Sequence, residues 1–269
     1  MINRHLLFYR HRFYRHLFLV STAVVASMGV PFPIHRIGAL GTVALMVLLS
    51  VELGGPIRAH QTHHRWPDSA YRRLGVLTLL FQVLWMCSPR DFAFMGFAVL
   101  LATTAFIFWS LKRLLICLAQ ETQIRMAVLG GAVAGYLLLG ISGGLLFGAL
   151  ETLAPGSFIN QADGGRELLL AGMGSDSVAL RIWDLDFTRI HYFAFVSLTT
   201  VGYGDIIPAL PPSQMASVAL SISGPLYLAI VMGLLISRYT LQSEKQEIRD
   251  WQEGAPGPPP HSGADSDDR

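Results

Sequence analysis

The chain has 269 residues, 52% hydrophobic against 14% charged, with a formal net charge of +2. Its apolar residues fall in long blocks rather than alternating with polar ones, which excludes an ordinary soluble domain and points to a membrane protein. The small positive charge is distributed among short connections, so it gives no ground for a nucleic-acid partner.

A hydrocarbon core about 30 Å thick takes roughly 20 apolar residues per helix. Six blocks approach that length: residues 17–32, 37–53, 74–88, 92–111, 126–150 and 214–237. The first follows a basic segment but has no Ala-x-Ala cleavage site, so it reads as a retained span rather than a leader. Arg4, Arg10, Arg12 and Arg15 precede it, and Arg58, Arg65, Arg72 and Arg73 separate the second and third spans. Lys112, Arg113 and Arg125 lie between the fourth and fifth, and Arg238, Lys245 and Arg249 follow the sixth. Every second connection is therefore basic, which predicts six spans with both termini cytoplasmic. Cys87 and Cys117 fall in or beside apolar spans, so no disulfide framework is expected.

The predicted organisation is all-α: a four-helix transmembrane bundle over residues 1–120, a pore unit over 121–240, and a disordered cytoplasmic tail over 241–269. The tail assignment rests on polar residues from Glu244 onward and on Gly254-Ala255-Pro256-Gly257-Pro258-Pro259-Pro260, which cannot bury a core. In the fifth span, Gly131, Gly135, Gly140, Gly144 and Gly148 recur at four- or five-residue intervals. That face suits close approach of another backbone, although glycine enrichment of membrane helices would produce it too.

Residues 151–209 separate the last two spans. Within them, 188–198 is apolar but only about half the length needed to cross, which predicts a re-entrant helix with Asp186 as N-cap. Non-helical backbone at membrane depth is tolerated where it lines a watery path or is buried in protein. Directly after that helix comes Thr199-Thr200-Val201-Gly202-Tyr203-Gly204-Asp205. Gly202 and Gly204 reach backbone angles closed to residues bearing a Cβ, so successive carbonyls can face the same way.

This heptapeptide, behind a half-length helix and before a full span, resembles the filter of the potassium channel superfamily, whose carbonyl rings are usually described from this very motif. Residues 126–237 are similar to that family's module of two helices and a pore loop. The resemblance implies that Thr200, Val201, Gly202, Tyr203 and Gly204 bind the permeant K+, with the Thr200 hydroxyl in the innermost ring. It implies that Tyr192 and Phe193 brace the filter from behind and that Asp205 lies at the outer mouth. Val196 stands where some bacterial relatives carry a Glu that pairs with that Asp. One filter per chain implies a homotetramer. Gly224, followed by Pro225, resembles the hinge of the inner helix, and a static kink is the alternative. No cofactor is expected beyond K+ itself, and the surrounding partners are membrane lipids. The compact chain looks like a bacterial inner-membrane protein.

Six spans invite a voltage-gated reading, but 92–111 carries no charge, and Lys112 with Arg113 reads as an interfacial anchor. The segment 151–187 holds Glu151, Asp163, Glu167, Asp176, Asp184 and Asp186 against Arg166 and Arg181, six minus two, or four net negative charges to draw cations to the mouth. Two other functions stand as alternatives. His60-x-x-His63-His64 has the form of one histidine box of a membrane di-iron desaturase, though no third box accompanies it. Those histidines also suit a pH-sensing loop. A potassium uptake subunit is the second alternative, but such subunits carry four degenerate pore loops per chain.

Overall fold

The computed structural model describes residues 4–29, 36–53, 65–87, 93–119, 121, 126–162, 164–168 and 186–254. Five long helices come first: α1 (Arg4–Met28), α2 (Arg36–Glu52), α3 (Arg65–Cys87), α4 (Ala93–Ala119) and α5 (Met126–Leu153). Strands β1 (Phe158–Asn160) and β2 (Arg166–Glu167) precede the short helix α6 (Phe187–Leu198), and β3 (Ile206–Pro208) follows it. The chain then runs through α7 (Pro211–Tyr227), a π-helical stretch at Leu228–Met232, and α8 (Gly233–Gly254).

The described residues of the six apolar blocks are almost all helical. By length and composition, three stretches among the described residues can cross a membrane: Ala98–Ala119, Met126–Leu153 and Pro211–Arg249. The helices overrun the apolar blocks because straight-chain polar residues continue a helix as readily as apolar ones. Thus α1 starts at Arg4 rather than at residue 17, and α3 at Arg65 rather than at 74.

The same physics corrects the tail. The disorder expected from Glu244 onward does not begin there: α8 continues through Glu244, Lys245, Glu247 and Arg249 to Gly254. It meets no glycine or proline until Gly254 and Pro256, the residue types that end helices.

Each of the first five helices packs on its sequence neighbour, and α1 packs against α5 to close the round. One core therefore runs from Tyr14 and Leu17 through Leu49, Tyr71, Phe106 and Leu114 to Ala132, Leu138 and Ile141. The first four helices do not make a core of their own, because α5 completes it. In lipid, apolar surface alone does not drive helices together, so fit decides. The α5 glycines supply that fit, but to side chains rather than to a neighbouring backbone. A Cβ at Gly131 would meet the Tyr14 ring, one at Gly140 the Phe195 ring, one at Gly143 Leu220, and one at Gly144 the imidazole of His191.

Among the described residues, polar groups join these helices around Tyr71 and at the α4–α5 junction. Tyr71 donates to the Leu49 carbonyl at 3.1 Å and lies 2.7 Å from Ser110 Oγ, with the Arg113 guanidinium 4.6 Å from the centre of its ring. Arg113 is only 8% exposed, its guanidinium packed on the Tyr71 ring. It lies inside α4, six residues before Ala119, where a neighbouring helix covers it. At the α4–α5 junction, Tyr14 donates to Glu121 Oε1 at 2.9 Å, and Arg238 Nη1 of α8 donates to the Ala119 and Glu121 carbonyls, each at 2.8 Å. A cation on the last carbonyls of a helix also meets the negative end of its dipole.

Candidate functional site: the re-entrant helix and its loop

Helix α6 has 12 residues, about 18 Å at 1.5 Å per residue, too short to cross a bilayer. Asp186 caps it as expected: the Arg189 amide donates to Oδ1 at 3.0 Å, and Arg189 Nε lies 3.3 Å from Oδ2. Replacing the cap leaves that amide without its partner, so Asp186→Ala should cost about 1 kcal/mol in thermal unfolding of the purified protein.

Phe187 and His191 lie one turn apart, and His191 Nδ1 donates to the Phe187 carbonyl at 2.7 Å. Phe193 turns towards Phe147 of α5 and Phe158 of β1, whose ring centres are 5.5 and 5.4 Å away. Within a single chain, Phe193 therefore packs into this aromatic group. Tyr192, on the other side of α6, donates to Asp205 Oδ2 at 2.8 Å.

The motif leaves α6 in a tight reversal. The amides of Thr199, Thr200 and Val201 donate back to the carbonyls of Phe195, Ser197 and Val196 at 2.9 to 3.0 Å. Val196 thus serves this loop through its main chain, and Asp205 takes its partner from Tyr192 instead. Gly202 and Gly204 have φ of +59° and +79°, the left-handed region that glycine enters without steric cost. Thr200 also has a positive φ, +58°, a strained setting for a β-branched residue. In the single chain Val201 is 52% exposed and Tyr203 71%. The loop has a firm base on α6 and an open outer side.

Gly224 sits on α7 directly against the end of α6. A Cβ there would collide with the Leu198 carbonyl oxygen and come within 2.9 Å of its carbon. Tyr136 of α5 donates to the same carbonyl at 3.4 Å. Three residues after Pro225, where a bend is expected, a π-helical stretch begins, a kind of irregularity at which helices can change direction.

Sequence reasoning missed the small sheet, in which β1 lies between β2 and β3, all antiparallel. The signal available was Gly164-Gly165, both with positive φ, in the five-residue loop between β1 and β2. It also misplaced Glu151. Counted among the acidic residues of the mouth, Glu151 is 4% exposed and accepts the amides of Gly156 and Phe158 at 2.8 and 2.9 Å. A carboxylate at the end of α5 fills the need of a tight turn for acceptors and adds nothing to the solvent-facing charge. Asp163, Asp176, Asp184 and Arg181 lie outside the described residues. So do His60, His63 and His64; among the described residues no three His, Cys, Asp or Glu side chains are grouped to hold a metal. Cys117 is a buried free thiol.

Residues 167–240 match the family described as "Ion channel". The filter motif lies on that segment, so the pore segment resembles the potassium channel superfamily. The voltage-gated potassium channel regulatory subunit KCNG2 of Homo sapiens is 31% identical over 84 residues, 30% of this chain and 18% of that protein. Its counterpart in Rattus norvegicus is 31% identical over 78 residues, 28% of this chain and 16% of the relative. The chain thus spans less than a fifth of the length of the curated relatives it matches. With its apolar helices, this ion channel segment makes the chain an integral membrane protein.

Proposed function

We propose that four copies of this chain assemble around one axis into a passive, K+-selective channel. The carrying observation is the Thr200–Gly204 loop, with both glycines in the left-handed region and the Thr200 and Val201 amides committed to α6. Four such loops stack carbonyl rings that replace the hydration shell of K+. One loop per chain leaves a pore incomplete, and the exposed Val201 and Tyr203 are the surfaces that neighbouring copies would cover. The C-termini of four α6 helices would add negative potential beneath the filter.

The six-span topology with cytoplasmic termini, the bacterial inner-membrane location and the division at residues 120 and 240 belong to the same reading. Tyr192 and Asp205 support the mouth of the filter, and Thr199, Phe193 and Val196 support its base. Gly224 and Pro225 mark where α7 and α8 would move during gating, K+ is the permeant ion, and no cofactor is required. Voltage dependence is weak, because among the described residues Arg113 offers one buried cation per subunit where strong sensors use three or four.

Purified protein in liposomes tests the reading directly. K+ flux should exceed Na+ flux, and barium should block it; equal fluxes would remove the filter assignment. Conduction by this chain alone would also set it apart from a purely regulatory role, which is what the relative's name says of the relative. An iron-dependent oxidase built on His60, His63 and His64 would show no such flux, whereas an uptake subunit would pass K+ through a pore closed within one chain rather than by four copies. Tyr192→Phe removes one hydrogen bond to the Asp205 carboxylate and should shorten the conducting state severalfold in single-channel recordings.

A further inference from the structure

Beyond Gly204 the filter is held by the strand that leaves it. The Asp205 carbonyl accepts the Gln161 amide at 2.7 Å, and β3 then pairs with β1 in the register Ile206 to Asn160, Ile207 to Ile159 and Pro208 to Phe158. The Ser157 carbonyl closes this pairing by accepting both the Ala209 amide at 2.8 Å and Ser213 Oγ at 2.7 Å. The position of Asp205 is therefore the position of β1.

What places β1 is Glu151. Its Oε1 accepts the Gly156 amide and its Oε2 the Phe158 amide, so the two oxygens shape the turn that launches the strand. Phe158 then packs against Phe147 of α5 at 5.0 Å and Phe193 of α6 at 5.4 Å, fixing β1 against the two helices that carry the loop. An ionised carboxylate accepts at both oxygens, whereas the amide of Gln must turn an NH2 group towards one of these donors.

We propose that Glu151 is a positioning residue for ion selection, acting through β1 and the Gln161 amide on the Asp205 carbonyl, and so on the outermost part of the filter. This rests on the channel reading above. Selection between K+ and Na+ depends on how carbonyl dipoles are arranged around the ion. A filter whose outer end is loosely held loses discrimination before it loses conduction.

The experiment compares wild type, Glu151→Gln and Gln161→Pro in liposomes, reading the ratio of K+ to Na+ flux. That ratio does not depend on how many channels fold, so a role confined to stability would leave it unchanged. Glu151→Gln loses one charge-assisted hydrogen bond and should lower the ratio about tenfold. Gln161→Pro deletes the amide that holds Asp205 and should lower it in the same direction. For a variant that does not conduct, the readout is the rise in melting temperature of the detergent-solubilised protein on replacing Na+ with K+; that rise should shrink. A wild-type ratio, or undiminished K+ protection, in both variants overturns the proposal. No K+ preference in wild type would instead remove the channel reading on which it depends.

Discussion

Gly202→Ala should abolish K+-selective flux in liposomes while leaving the protein folded. Gly202 has φ +59°, and nothing lies within 4 Å of where a Cβ would be built in the single chain, so the penalty is one of backbone angle rather than of collision. An alanine held in the left-handed region costs about 1–2 kcal/mol. Escaping that cost turns the peptide and takes the carbonyls of the motif out of line. If the proposed assembly brings four copies of the change to one pore, the selective rings are lost together, and a fall in K+ flux of at least tenfold is expected. Full retention of K+ preference in the alanine variant would show that this loop is not the selecting element.

Gly224→Ala should have the second-largest effect, and its form separates two roles for the residue. A hinge glycine replaced by alanine stiffens a helix and shifts opening while the closed protein remains intact. Close approach predicts something else. The new methyl group would meet the Leu198 carbonyl, a main-chain atom at the base of the filter loop that cannot swing away as a side-chain end could. Overpacking of this kind typically costs 1–3 kcal/mol per site. The expected result is a lower melting temperature together with loss of flux. An unchanged melting temperature with altered open probability would leave Gly224 the hinge role alone. Pro225→Ala serves as the companion: it restores a hydrogen-bond donor without adding bulk against Leu198, and it should raise stability while changing gating.

Much of this was legible in the sequence because its signals are local. Apolar blocks of bilayer length marked α4, α5 and α7, and the glycine spacing of the motif marked the loop after α6. Asp186 was readable as a cap because its partner is only three residues away. What escaped depends on distant pairings. Strands of two and three residues are too short to show alternation, so β1 and β3 appear only once they meet. The acceptor role of Glu151, the donation from Tyr192 to Asp205 and the burial of Arg113 each require knowing which element lies opposite. The glycines of α5 were visible as a pattern, but not the rings of Tyr14, Phe195 and His191 that occupy it. The course of α8 beyond Glu244 was masked by composition, since polar helix formers and disordered tails draw on the same residues.

The closing of α1 onto α5 bears on how such a channel can be engineered. Cutting the chain before Met126 to obtain a minimal pore would remove Tyr14 from its notch at Gly131 and Leu114 from beside Gly135. Arg238 would lose the Ala119 and Glu121 carbonyls that now receive it. Lipid tails fill such notches poorly, and an uncapped arginine would be left on α8. The last two spans are thus not a portable cassette, and a chimera that borrows them has to bring α1 and the end of α4 along.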